Sequence, residues 1–75
     1  MARGMETRAN FLELGMVAAT GRAAPDLVAA HKWFNLAAVH GCREAARLRL
    51  EIAAEMSAAD IAAAQRAARD WVATH

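Results

Sequence analysis

The sequence predicts an all-α domain of four helices arranged as two antiparallel hairpins. Three observations predict it. Strong helix formers, above all alanine with leucine, methionine, arginine, glutamate and glutamine, dominate the 75 residues. The alternation of β-branched and aromatic residues that marks a strand is absent. Apolar residues recur instead at helical spacing in four stretches, separated by short breaks that favour antiparallel neighbours.

The first helix is expected over residues 5–19. Leu12, Gly15, Met16 and Ala19 fall at i, i+3, i+4 and i+7 and make one apolar stripe, with Glu6, Asn10 and Glu13 on the other side. Gly15 costs about 1 kcal/mol relative to alanine inside a helix, which marks it as a place where another backbone comes close. Thr20 and Gly21 end the helix, Gly21 being suited to a left-handed cap. The loop Gly21-Arg22-Ala23-Ala24-Pro25 holds the only proline. Asp26 is the expected N-cap of a second helix over 27–40, which Gly41 closes. Leu27, Ala30, Phe34, Ala37 and Ala38 form its main stripe. Ala29, Trp33 and Leu36 widen that stripe, so this helix should be buried on more than one side.

A third helix fits residues 43–56, with Ala45, Leu48, Ile52 and Met56 inside and Arg47, Glu51 and Glu55 outside. Ser57 followed by Asp60 resembles a capping box and starts the fourth helix over 58–74. There Ile61, Ala64, Ala68, Trp71 and Val72 are expected to face inwards, and Arg66, Arg69 and Asp70 outwards.

Composition narrows the function. A hydrophobic fraction of 57% with 23% charged residues excludes a disordered tail. The formal net charge of +1 provides no global field towards nucleic acid or an anionic membrane. The longest uncharged run, from Trp33 to Cys42, is far too short to cross a bilayer. Glu6 and Glu13 interrupt the apolar stretch that would follow Arg3 and Arg8 in a secretory signal, so none is expected. The single cysteine, Cys42, permits no disulfide within the chain and points to a reducing cytoplasm. The whole of residues 1–75 reads as one domain.

Nine positions carry a family resemblance. Leu14, Gly15, Gly21, Asp26, Ala30, Trp33, Ala37, Ala38 and Gly41, taken with their spacing, resemble one Sel1-like repeat. That family is a relative of the tetratricopeptide repeats and stacks helix-turn-helix units into a right-handed superhelix. The resemblance divides the chain into a repeat over 5–41 and a C-terminal helical hairpin over 42–75. It implies protein–protein interaction and scaffolding without catalysis or cofactor, and neither a metal nor a small-molecule substrate is expected. Within the motif, Gly15 and Ala30 would let the first two helices pack closely, while Gly21 and Asp26 shape the loop. Trp33 would fill the gap beneath the next unit, Ala37 and Ala38 would admit the neighbouring helix, and Gly41 would turn the chain. The sequence departs from the pattern at Ala18, where an aromatic residue is usual, and at Ala23 in a loop one residue short. No second signature follows Gly41.

A lone solenoid unit cannot bury its stacking face, and small domains without disulfides or metals are marginal. Self-association as a two-fold homodimer, or docking of a protein partner, is therefore expected. Met16, Trp33, Phe34 and Trp71 are the candidate contacts. Trp33 is read first as core, and Trp71, near the C-terminus, as the better exposed anchor.

Other chemistry has weaker support. His31, His40 and Cys42 match no usual zinc spacing. A thiol enzyme would require Cys42 exposed beside His31 or His40, and nothing supplies an oxyanion hole or an orienting third group. The alternative to an interaction module is a small helical nucleic-acid-binding protein using Arg43, Arg47, Arg49, Arg66 and Arg69. The interspersed Glu44, Glu51, Glu55, Asp60 and Asp70 favour a solvated face with local ion pairs instead.

Overall fold

The computed structural model describes residues 3–21 and 24–75, with side chains from residue 10 onwards within those segments. The expectations at Glu6 and Ala23 lie outside the described side chains. Four helices follow one another: α1 (Arg3–Ala19), α2 (Leu27–Val39), α3 (Arg43–Ala53) and α4 (Ala58–Thr74). Among the described residues there is no strand. No helix among them is long and apolar enough to cross a membrane.

The helix ends follow from local chemistry. Asp26 adopts an extended backbone and its Oδ1 accepts from the amide of Ala29 at 3.0 Å, satisfying one of the free donors of the first turn of α2. The Asp26 amide donates to the carbonyl of Ala18 at 2.8 Å, which ties the start of α2 to the end of α1. At the other end of α2, Gly41 takes φ 98°. Its amide reaches the carbonyl of Ala38 (2.9 Å), and that of Cys42 reaches Ala37 (3.0 Å). This pair of bonds is a Schellman cap, which needs a residue at positive φ. Cys42 is also the N-cap of α3, so only His40 and Gly41 separate α2 from that cap. Positive φ falls at Gly41 and not at Gly21. A Cβ at Gly21 would instead lie 3.0 Å from the carbonyl oxygen of Ala24. Helix α3 stops at Ala53, three residues short of expectation. Three-residue turns take over, with the amides of Glu55 and Met56 donating to Ile52 and Ala53. Ser57 Oγ then accepts from the amide of Asp60 at 3.0 Å and opens α4.

Helix α2 is the hub. Helices α1, α3 and α4 each pack against it, whereas α3 and α4 approach one another little. The first hairpin is thus a closely packed pair. The second is two helices that share α2 as their support. The core consists of Phe11, Ala30, Phe34, Leu36, Ala37, Ala45 and Ala68, with Leu12, Trp33, Leu48, Ile52 and Trp71 packed on it. Alanine at so many buried positions lets helices approach closely, and the few large side chains fill what remains.

The α1 face is as expected at Leu12, Gly15 and Ala19, which pack inwards, and differs at Met16. Phe11 is buried and Met16 is 49% exposed, because Phe11, Gly15 and Ala18 at i, i+4 and i+7 form the stripe that meets α2. Gly15 does admit a close neighbour, and that neighbour is the Phe34 ring rather than backbone.

Candidate functional site

An apolar groove of about 220 Å³ lies between α2 and α4, lined by Asn35, Leu36, Val39, Ala68, Arg69 and Val72. Its origin lies in the packing. With α3 and α4 apart, one flank of α2 and one flank of α4 are left uncovered. Leu36 (2% exposed) and Ala68 form the floor, while Val39 (72%) and Val72 (58%) stand on the walls. Val72 is therefore not an inward-facing residue. Adjacent positions on a helix diverge by about 100°, so with Trp71 turned to the core Val72 faces the groove.

The polar groups around the groove are neutral or cationic. Arg69 lines it directly, and Arg49 donates through Nη1 to Asn35 Oδ1, which lines it too. One turn before Leu36, Lys32 places its Nζ 3.9 Å from the ring centre of Trp33. Among the described residues the ion pairs both belong to Arg47, which bridges Glu44 at 3.8 Å and Glu51. No carboxylate neutralises Arg49 or Arg69 there.

Of the five arginines of the nucleic-acid alternative, Arg49 and Arg69 stand beside the same groove, Arg47 is tied to carboxylates, and Arg43 and Arg66 lie exposed on α3 and α4.

A second apolar surface runs along α1, where Leu14 (43%), Met16 and Val17 (63%) are exposed beside Glu13. Of the candidate contacts, Met16 belongs to this surface. Phe34 does not belong to any surface: at 1% exposure its ring is the central filler of the α1–α2 contact. Trp33 and Trp71 are half-buried and packed together with ring centres 6.1 Å apart. Phe11 stacks on Trp33 at 5.8 Å and meets Trp71 edge-on at 5.0 Å. Trp71 is drawn in by this cluster, and His75 stacks on it at 4.1 Å. The sequence pattern does not mark Val39 or Asn35, and it assigns Val72 to the core. The signal present was two neighbouring large apolar residues, Trp71-Val72, that one helix contact cannot both bury.

The repeat-signature positions divide between core and turn. Gly15, Ala30 and Ala37 are buried between helices, Ala38 is half-buried, Asp26 caps α2, Gly21 lies in the loop after α1, and Gly41 makes the Schellman turn. Leu14 points outwards.

Cys42 is half-buried at the α2–α3 junction, and the His40 ring lies over Phe11 at 5.5 Å. His31 is buried, with its Nδ1 lacking a hydrogen-bond partner. Burial, and secondarily the Arg49 charge, push its pKa below the ordinary value. Among the described residues no three His, Cys, Asp or Glu side chains converge as a metal site. No protein-family model, no curated protein and no solved structure matches the chain.

Proposed function

We propose that the chain is a non-catalytic protein–protein interaction module of Sel1-like type that associates with copies of itself. The observation that carries this reading is the α2–α4 groove, whose walls leave Val39 and Val72 largely uncovered. In a chain of 75 residues the core is small, and covering exposed valine surface contributes about 25 cal/mol per Å². Covering that surface on association adds to the stability of so small a fold. The superhelical reading draws support from Gly15, Ala30 and Ala37, small residues at closed helix contacts. The free, half-buried thiol of Cys42 suits a reducing cytoplasm.

Mass action provides the test. The thermal midpoint, followed by circular dichroism over a hundredfold range of chain concentration, rises with concentration if assembly is coupled to folding. A midpoint independent of concentration overturns the reading.

A further inference from the structure

We propose that one copy seats the outer face of its α1 in the α2–α4 groove of the next, so that assembly is head-to-tail. This rests on the self-association reading above and names the two surfaces that meet. Both surfaces are present on every chain, and α1 contributes nothing to the groove lining. On α1, Glu13, Met16 and Val17 stand at i, i+3 and i+4, with Leu14 one turn before Val17. The exposed face thus carries three apolar side chains beside the polar Asn10 and Thr20, with the Glu13 carboxylate in its midst. The groove is apolar with Arg69 on its wall and the Arg49–Asn35 pair at its rim.

Charge decides between the possible pairings. A two-fold contact of groove with groove would set a cationic rim against a cationic rim, with no carboxylate among the described residues there to offset it. A two-fold contact of α1 with α1 would set Glu13 near Glu13. Pairing α1 with the groove places Leu14 and Val17 against Leu36, Val39 and Val72, and brings Glu13 to Arg69. Opposite charges at the rim of an apolar contact fix register and disfavour the wrong partner. Such an interface is heterologous, so it produces a ring or an open chain rather than a closed pair.

Two variants of the 75-residue chain test this. Leu14→Lys with Val17→Lys blocks the α1 face, and Val39→Lys with Val72→Lys blocks the groove. All four positions are exposed, and lysine near the C-terminal ends of α2 and α4 suits the helix dipole, so helical content should be retained. Each variant alone is expected to sediment as a monomer, with its dissociation constant raised about tenfold or more. Mixed together they should form a 1:1 complex, since one retains the groove and the other the α1 face. A wild-type chain that assembles while the mixture stays monomeric overturns the head-to-tail pairing and leaves self-association standing. A wild-type chain that is monomeric at every concentration overturns both. If a double variant fails to fold, Glu13→Arg and Arg69→Glu test the same contact by charge exchange. Each alone is expected to weaken assembly and the equimolar mixture to restore it. A mixture no tighter than the single variants contradicts the pairing.

Discussion

A Cβ placed on Gly15 would come within 2.5 Å of both Cδ1 and Cε1 of Phe34. The bare α-carbon of Gly15 on α1 is therefore the seat of the largest fully buried side chain of α2. Phe34 is almost wholly buried and has nowhere to retreat. Gly15→Ala improves helix propensity by about 1 kcal/mol, but overpacking a closed contact costs about 1–3 kcal/mol. The clash wins here because the ring is hemmed in. Urea unfolding of Gly15→Ala should show a net loss of stability, and adding Phe34→Leu should recover part of it.

His31 predicts a pH dependence. Its pKa is lowered in the folded chain by burial and then by the Arg49 charge, so the unfolded chain, with a pKa of about 6.5, binds a proton more readily. Stability from this group is present above about pH 6.5 and falls as pH drops towards the folded-state value. The thermal midpoint of the wild type should decline between neutral and mildly acidic pH. His31→Leu should flatten that decline and, because the unpartnered Nδ1 is gone, cost little at neutral pH. An unchanged slope in the variant would show that other groups set it.

Asp26 predicts a smaller, local effect. Its carboxylate accepts from the Ala29 amide at the start of the hub helix, so Asp26→Ala should cost about 1 kcal/mol. Asp26→Asn retains an acceptor and should recover most of the loss in the same thermal melts.

Trp71 joins α4 to the rest through Phe11 and Trp33. Full truncation of a buried aromatic costs about 3–5 kcal/mol, and Trp71 is half-buried. Trp71→Ala should therefore destabilise by about 2–3 kcal/mol, and Trp71→Phe by less than half of that. Tryptophan fluorescence, which then reports Trp33 alone, should shift to the red as its neighbour is lost.

Much of the fold was legible because its punctuation is chemical. Asp26, Gly41 and Ser57 act through their own side chain or backbone freedom, and each sits where sequence reasoning put it. The orientation of α1 was legible in part from its periodicity, since Leu12, Gly15 and Ala19 pack inwards as their spacing suggests. The stripe can be continued by either Met16 or Phe11, and the ring contacts of Phe11 with Trp33 and Trp71 take the second. The groove was illegible for a related reason. Val39 and Val72 look like core residues by hydrophobicity. Their exposure follows from α3 and α4 docking separately on α2, a tertiary choice that no local pattern encodes. Phe34 and Trp71 show the converse. Aromatic size suggested contact surfaces, and the hub arrangement draws both inwards.

The molar mass of the wild-type chain, measured by light scattering across a concentration series, tests the account most directly. The account predicts a mass that climbs with concentration and passes that of two chains, as head-to-tail assembly requires. A mass fixed at one chain throughout the series would contradict it.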